Sequence, residues 1–407
     1  MAIKIYTLTS SLHDAAGVDG ITREFLASLG LEYTFKGNDF SDYGRGGLDL
    51  IYVRTGGTEG IFQGLLPSLP KDRPFYLLTS GKSNSLAASM EILSYLNLKG
   101  LKGEILHGSG SYLNKRICLI YKALIAAEKL RGQRLAVIGK PSDWLISSNC
   151  DYALVKEKLG IELIDIPMQR LLDTISAIPE GECGEYSTVA CKQGREAAIK
   201  ASLPMADRIY RALRRIIDEE KLDGLTIRCF DLLTAVKNTG CLALARLNSE
   251  GFTATCEGDV PAMLSMAVSR AVSGCSGFQC NASVMDPETR RILFAHCTLP
   301  LNMASSYNFD THFESGIGVG IHGEILEGDA CIFKLAPDCR QYFVSDVKIL
   351  RNEYGDNLCR TQILVELPEG SDAISEYFLK KPIGNHHIVI PDCDSLTLVE
   401  LFRLQGD

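Results

Sequence analysis

The segment PFYLLTSGKSNSLAASMEILSYLNLKG, residues 74–100, contains one complete unit of the pattern that decides the fold. It opens with a short apolar run that reads as a buried strand and ends in a glycine turn. Apolar residues then recur at helical spacing from residue 84 onward, and Asn84 or Ser85 is a suitable N-cap for that helix. A strand followed at once by an amphipathic helix is the unit from which parallel α/β sheets are built.

The same alternation fills the N-terminal third of the chain and then begins again. Strand-like runs separated by amphipathic stretches stand at 1–9, 31–37, 48–57 and 103–109. We therefore predict an N-terminal α/β domain over residues 1–132. A second series starts with the strand and glycine turn of RLAVIGKPSDWLISS (134–148), and we predict a second α/β domain over residues 133–290. That domain should contain a long helix within 191–222 and a strand at 223–233.

The last part of the chain has a different pattern. Strand-like segments separated by Gly, Pro and Asp turns lie at 329–338, 341–352, 360–368 and 386–392. We predict a β-rich, mostly antiparallel domain over residues 291–407. The predicted fold class is therefore α/β, with two doubly wound parallel-sheet domains followed by a β-rich C-terminal domain.

Composition excludes several classes of protein. The chain has 407 residues, 46% of them hydrophobic and 23% charged, and a net charge of −8. An acidic chain without a long Lys/Arg block has no electrostatic reason to bind nucleic acid or an anionic membrane. No apolar run approaches the roughly 20 residues of a membrane-spanning helix, and the first residues do not resemble a secretory signal. We expect a soluble cytoplasmic protein with no nucleic-acid or membrane partner, whose 14 cysteines are free thiols.

The glycine-rich stretches do not predict a nucleotide site. VRTGGTEG (53–60) and VIGKPSD (137–143) contain neither GxGxxG nor GxxxxGK[ST]. GIGVGIHG (316–323) is surrounded by β-type residues, whereas a phosphate-binding loop opens a helix.

Carboxylates and histidines are the best candidates for chemistry. The segment FTATCEGDVPAMLSM (252–266) places Glu257 and Asp259 at the end of a strand-like run, where α/β folds bind ligands. The alternative is a simple turn before a Pro-capped helix. Five of the seven histidines are concentrated late in the chain: His296, His312, His322, His386 and His387. Histidine is the commonest metal ligand, although each of these can instead be a hydrogen-bonded structural residue. Because neighbouring strand residues face opposite sides, at most one of the adjacent His386 and His387 points into a given site.

Six motifs, in chain order, carry a resemblance to a known family. They are VRTGGTEG, TSGKSNSLAASMEIL, LAVIGKPSDWLISS, CEGDVPAMLSM, LFAHCTLP and GNHHIVI. Together they resemble the short branch of the L-fucose/L-arabinose isomerase superfamily. The resemblance implies two α/β domains and a β-rich C-terminal domain, and the interconversion of aldoses and ketoses. It also implies a divalent metal, typically Mn²⁺ or otherwise Zn²⁺ or Co²⁺, and a homotrimer or homohexamer whose active sites are completed by a neighbour's N-terminal domain.

The resemblance also implies site residues. Glu257 matches the family's first metal-binding glutamate, which doubles as an acid/base. His386 matches the C-terminal histidine ligand of the family, although an arabinose-isomerase alignment favours His387. His312 falls where arabinose isomerases carry another histidine ligand.

One position departs from the family's pattern. Asn281 stands where L-fucose isomerases have their second metal-binding Asp, and His296 aligns with the second glutamate of arabinose isomerases if the gap is placed differently. An amide can coordinate a metal but cannot accept the C2 proton that isomerisation transfers. The second acid/base partner of Glu257 is then His296, Asp259 or a hydroxide on the metal.

Substrate contacts are harder to assign from one chain. Trp144 lies in the SDWL motif, where its flat face suits stacking on a sugar or, equally, anchoring a core. We also name Arg54, Asn84 and Ser85, which lie at strand-to-turn junctions of the N-terminal domain, as candidates for binding a small-molecule sugar.

The leading hypothesis is a metal-dependent isomerase of an open-chain sugar. One alternative is a sugar-binding or regulatory protein that lacks turnover, which Asn281 favours. The other is an isomerase or epimerase of a sulfo- or otherwise modified sugar.

Overall fold

The computed structural model describes residues 2–179, 181 and 186–405. The chain divides into two units, which we call unit 1 (Met1–Ala126 with Val399–Asp407) and unit 2 (Ala127–Leu398). None of the described helices is long and apolar enough to cross a membrane. All described cysteines are free thiols, and Cys183 lies outside the described residues.

Unit 1 contains a five-stranded sheet of order β2-β1-β3-β4-β5 in which every neighbouring pair is parallel. Its strands are β1 (Ile3–Leu8), β2 (Thr34–Gly37), β3 (Leu48–Val53), β4 (Phe75–Thr79) and β5 (Gly103–Leu106). Its helices are α1 (Ala15–Ser28), α2 (Glu59–Leu65), followed by a 3₁₀ turn, α3 (Ser85–Leu98) and α4 (Gly110–Leu130), which runs into unit 2. The parallel sheet predicted from the N-terminal third is confirmed.

The fully buried strand β3 explains why helices cover both faces of this sheet. Leu50 and Tyr52 belong to the core cluster that includes residues of α1 and α4. Ile51 and Val53 belong to the opposite cluster, with residues of α2 and α3. Since successive strand residues face opposite sides, a strand with buried apolar residues on both faces needs a helical layer on each side.

Unit 2 begins with a four-stranded parallel sheet of order β7-β6-β8-β9. The strands are β6 (Arg134–Ile138), β7 (Glu162–Ile166), β8 (Gly224–Ile227) and β9 (Thr253–Thr255). The helices are α5 (Tyr152–Leu159), α6 (Met168–Ala177), α7 (Glu196–Glu220), α8 (Phe230–Ala235), α9 (Cys241–Ser249) and α10 (Val260–Ser273). The strand predicted at 223–233 is shorter than expected, because Asp231 lies in the first turn of α8, where a carboxylate favours a helix N-terminus.

A closed barrel of order β10-β11-β16-β15-β14-β17 follows, and all its neighbouring strands are antiparallel. Its strands are β10 (Phe278–Asp286), β11 (Arg291–His296), β14 (Gly328–Leu335), β15 (Tyr342–Asn352), β16 (Thr361–Glu366) and β17 (His386–Pro391). The two-stranded sheet of β12 (Ser306–Asp310) and β13 (Gly320–Glu324), a π-helical turn at Ile374–Phe378 and α11 (Ser395–Gln405) complete the chain. The predicted β-rich C-terminal region is confirmed, and β10, from within residues 133–290, joins its barrel.

A buried ion network fastens the end of α11 within unit 1. The Arg116 guanidinium lies 2.6 Å from a carboxylate oxygen of Glu104 and 2.6 Å from one of Glu400. The Arg116 side chain is only 11% exposed, and that of Glu400 only 5%. Arg403 contacts the same two carboxylates at longer range, 3.4 and 3.8 Å, with a side chain that is 55% exposed.

We predict that Arg116→Met destabilises unit 1 by about 3 kcal/mol, because it leaves two largely buried carboxylates without their main partner. Arg403→Met is the matched control and should cost less than about 1 kcal/mol, since exposed ion pairs contribute little. Guanidinium denaturation followed by circular dichroism measures both. Equal midpoints for the two variants would contradict this account of the network.

Candidate metal centre

The turn after β9 presents Glu257 in a backbone conformation that needs support. Glu257 has φ +66° and Gly258 has φ +69°. A Cβ at position 258 would lie 2.3 Å from the Lys140 carbonyl oxygen, so only glycine fits there. The Ser142 N–H donates to the Glu257 carbonyl oxygen at 2.9 Å. The turn is therefore held tightly against the chain that follows β6.

Asp259 caps α10 and binds a histidine at the same time. Its Oδ1 accepts the Ala262 N–H at 2.9 Å, and its Oδ2 lies 2.8 Å from His386 Nδ1. The Lys334 ammonium is 3.8 Å from Oδ1 and, like Asp259, almost completely buried. Burial alone would raise the pKa of Asp259, but the Lys334 charge and the His386 hydrogen bond outweigh it and lower the pKa to about 2. The segment is thus both a turn before a Pro-containing helix and part of a buried polar cluster.

Glu257, His296 and His386 converge. One ligand atom from each lies within 4.8 Å of the other two. Glu257 Oε1 is 3.4 Å from His386 Nε2, and the two imidazole rings are 5.4 Å apart between centroids. His296 comes from the end of β11 and His386 from the start of β17. Both histidines are buried.

The two imidazoles have opposite charge preferences. Burial would lower the pKa of His386, but the neighbouring carboxylates of Glu257 and Asp259 raise it to about 9. Burial, reinforced by the His386 charge, lowers the pKa of His296 to about 3. Burial opposes ionisation of Glu257, but its histidine neighbours and Trp144 lower its pKa to about 2. Without a bound cation the group is therefore a Glu257–His386 ion pair beside a neutral His296.

These three residues could hold a metal ion. His386 Nε2 is buried and has no hydrogen-bond partner, while its Nδ1 is bound to Asp259. His296 Nδ1 contacts Thr298 Oγ1 at 2.8 Å, which leaves its Nε2 for a ligand. Imidazoles whose second nitrogen is anchored in this way are typical of metal sites. One carboxylate and two imidazoles suit Mn²⁺ or Zn²⁺ better than Ca²⁺.

Aromatic side chains border the group. Trp144 Nε1–H donates to Glu257 Oε2 at 2.7 Å. The indole packs edge-on against Phe230 at 4.7 Å, and Phe230 packs edge-on against His312 at 5.6 Å. His312 lies outside the three-residue group, with Nδ1 3.0 Å from Ser315 Oγ. Burial lowers the pKa of His312 to about 4, so His312 is a neutral residue beside these aromatic rings.

The sequence analysis did not identify two residues that shape these surroundings, Phe230 and Arg360. Phe230 follows the carboxyl end of β8, a position that could have drawn attention to it. The loop that carries His312 is held by Arg360, whose Nε donates to the Thr311 carbonyl oxygen at 2.8 Å. No local sequence signal joins residues so far apart in the chain.

His387 lies in a different environment from His386. Its Nε2 is 2.9 Å from the Tyr377 hydroxyl, and its ring packs against Phe294 and Phe378. Burial lowers its pKa to about 3. Of the two adjacent histidines, His386 alone belongs to the three-residue group.

Asn281 pairs directly with His386 in the β10–β17 ladder and with Ala295 in the β10–β11 ladder. It is half-buried. The position that departs from the resembling family is thus next to the candidate ligand His386.

The remaining candidates lie in unit 1, whereas the three-residue group lies in unit 2. Arg54 follows β3 and donates to Thr22 Oγ1 at 2.8 Å, at the rim of a cavity of about 600 Å³. Asn84, with φ +58°, precedes α3, and Ser85 Oγ accepts from the Thr79 hydroxyl at 2.6 Å.

Comparison with known proteins gives a distant similarity. No family model matches the chain. It is 20% identical over 236 residues to sulfoquinovose isomerases of Priestia aryabhattai and Priestia megaterium. The match covers 55% of this chain and 52% of each relative, so the chain spans about half the length of the curated relatives it matches. The chain is thus distantly similar to proteins that are named as sugar isomerases.

The histidine pair offers a test of the centre. We predict that His386→Gln lowers Mn²⁺ affinity at least tenfold, roughly the loss expected from disturbing a ligand's support alone. His387→Gln is the matched control, since it removes an equally buried neighbouring imidazole that lies outside the group. Calorimetric titration of chelator-treated protein with MnCl₂ and ZnCl₂ gives both affinities. Equal losses in the two variants would show that His386 has no special role.

Proposed function

We propose that this protein is a metal-dependent aldose–ketose isomerase that acts on an open-chain sugar through an enediol. The observation that carries the proposal is the Glu257–His296–His386 group, in which both histidines are buried and His386 Nε2 lies 3.4 Å from Glu257 Oε1. The distant similarity to enzymes named sulfoquinovose isomerase supports the same class of reaction.

Glu257 is the proposed base. Its lowered pKa keeps the carboxylate ionised at neutral pH, and Oε2 is already occupied by the Trp144 N–H. Oε1, which lies 3.4 Å from His386 Nε2, is then the oxygen not bound by the indole, and we assign to it the transfer of a proton from C2 of the sugar to C1. A bound divalent cation would supply Lewis-acid polarisation of the sugar oxygens.

His296 is the proposed second acid/base. It is neutral and buried, and Thr298 holds its Nδ1, so its Nε2 is the ring nitrogen free to exchange a proton when Glu257 and His386 hold the cation without it. Asp259 is less suited to this role, because one of its oxygens caps α10 and the other binds His386. We therefore assign Asp259 to orienting His386.

The proposed substrate class is a sugar with a modified substituent, such as a sulfosugar, which the name of the relatives supports. Trp144 and Phe230 offer ring faces and edges beside Glu257 on which the carbon backbone of a sugar can rest. Arg54, Asn84 and Ser85 remain candidates for contacts made by unit 1. The proposal includes a homotrimer or homohexamer in which a neighbouring subunit supplies them, and light scattering that gives a stable monomer would contradict it.

Incubation with a panel of sugars tests the reaction directly. Aldoses, deoxy-, phospho- and sulfosugars are mixed with the protein and Mn²⁺ in D₂O and followed by NMR. Interconversion with solvent deuterium at C1 or C2 reports the enediol. The second candidate, a sugar binder without turnover, is favoured by the amide at Asn281 beside His386. Binding of a sugar without deuterium incorporation would establish it.

Three variants test the acid/base assignment. Glu257→Gln keeps the size of the side chain but removes the charge and the proton acceptor, so the rate should fall by about 10²–10⁴. His296→Asn should be as damaging. Asn281→Asp should be neutral or harmful, because it adds a carboxylate to a cluster that already holds Glu257 and Asp259. Full activity of His296→Asn, measured by the same NMR assay, would overturn the role given to His296.

A further inference from the structure

The chain after β6 wraps around the Glu257 turn. Ser142 holds the Glu257 backbone at 2.9 Å, and Trp144 holds the side chain at 2.7 Å through its indole N–H. Two points of contact thus fix Glu257 despite its positive φ, a conformation that costs about 1 kcal/mol or more unless its surroundings impose it.

The loop is anchored at Ser142 and Leu145, which are buried, whereas the two residues between them are open to solvent. The side chain of Asp143 is 77% exposed, and Trp144 is 50% exposed. The indole packs against Phe230, but its N–H stays at a fixed distance from the carboxylate only if the segment of Asp143 and Trp144 is held as well.

Arg228, directly after β8, supplies that restraint. Its Nη1 donates to the Pro141 carbonyl oxygen at 2.6 Å, and its two Nη atoms bind the Asp143 carboxylate at 3.1 and 2.6 Å. Its Nε donates to Asp231 at 3.1 Å, at the start of α8. The guanidinium is therefore bound on both edges, by the loop on one side and by the helix on the other.

The stem of Arg228 is packed as closely as its head. Its side chain is only 14% exposed. A Cβ added at Gly139, the residue after β6, would lie 2.9 Å from Arg228 Cβ, so the stem lies directly against the start of the loop. A planar guanidinium with five donors suits such a clamp, whereas a lysine cannot reproduce its forked geometry.

We infer that Arg228 is a positioning residue: by clamping Pro141 and Asp143 it holds the Trp144 N–H against Glu257 Oε2, which leaves Oε1 directed at His296 and His386. Its effect on catalysis rests on the proposed function, whereas its effect on the Trp144–Glu257 hydrogen bond does not.

The chain's single tryptophan makes the hydrogen bond directly observable. Protein labelled with ¹⁵N-tryptophan gives one indole N–H resonance, which needs no assignment. The Glu257→Gln protein defines the position of the indole resonance when the acceptor is neutral. The weaker hydrogen bond in that protein should move the indole N–H proton upfield. We expect Arg228→Met to move the resonance upfield from the wild-type position, and Arg228→Lys to move it less far.

Arg134→Met is the matched control. Arg134 also pairs with a carboxylate, Glu162 at 3.2 Å, but at the start of β6, the opposite end of the same sheet from Arg228. The indole resonance of the Arg134→Met protein should coincide with that of the wild type. Asp143→Asn removes the exposed half of the clamp and keeps the test decisive if Arg228→Met does not fold, because it should shift the resonance in the same direction.

Folded Arg228→Met and Asp143→Asn proteins that both keep the wild-type resonance would overturn the inference, and so would an equal shift in Arg134→Met. If a sugar is turned over, Arg228→Met should lower kcat by about 10²-fold with a smaller change in KM, the size of loss that a displaced catalytic group causes. Absence of turnover in the wild type would contradict the proposed function, while the NMR comparison would still decide the role of Arg228.

Discussion

The buried hydrogen bond between Asp259 Oδ2 and His386 Nδ1, 2.8 Å long, joins the two parts of unit 2. Asp259 caps the helix that follows the last strand of the parallel sheet, and His386 opens the last strand of the barrel. Loss of either group would leave the other buried with only one charged partner, Lys334 for Asp259 or Glu257 for His386, which is costly in such a dry environment. The contact fixes how the end of the sheet meets the barrel, and Glu257, two residues before Asp259, is placed relative to His296 as a result.

Three histidines show how surroundings rather than residue type decide the chemistry. His386 lies between two carboxylates, and its pKa is raised to about 9. His296 lies on β11, which β10 separates from the strand of His386. It is neutral because burial lowers its pKa and the charge of His386 lowers it further. His387 is the chain neighbour of His386 but lies among aromatic rings, with the Tyr377 hydroxyl as its partner. A one-residue step along β17 changes the face of the strand and therefore the role of the imidazole.

Features that follow from local sequence could be predicted, whereas contacts between distant segments could not. Alternating strand and helix patterns predicted the parallel sheets, and β-rich segments between Gly, Pro and Asp turns predicted four of the six barrel strands, β14 to β17, because both are local patterns. The EGD turn was recognisable because a carboxylate after a β-strand is a local signal. Two other contacts could not be predicted in this way: the pairing of Asn281 with His386 and the hydrogen bonds from Arg228 to Asp143. They join segments about 85–105 residues apart in the chain. Such contacts are set by strand order and barrel closure, which no single segment encodes.

The amide at Asn281 is consistent with the charge already present around it. Glu257 and Asp259 both face His386, and their buried positive partners are the protonated His386 and Lys334. A further carboxylate at position 281, directly opposite His386 in the ladder, would add a third negative charge beside these two carboxylates. An amide offers an acceptor oxygen at no such cost. Around His386 the second carboxylate therefore comes from the helix cap, at Asp259, and the barrel strand contributes the amide of Asn281.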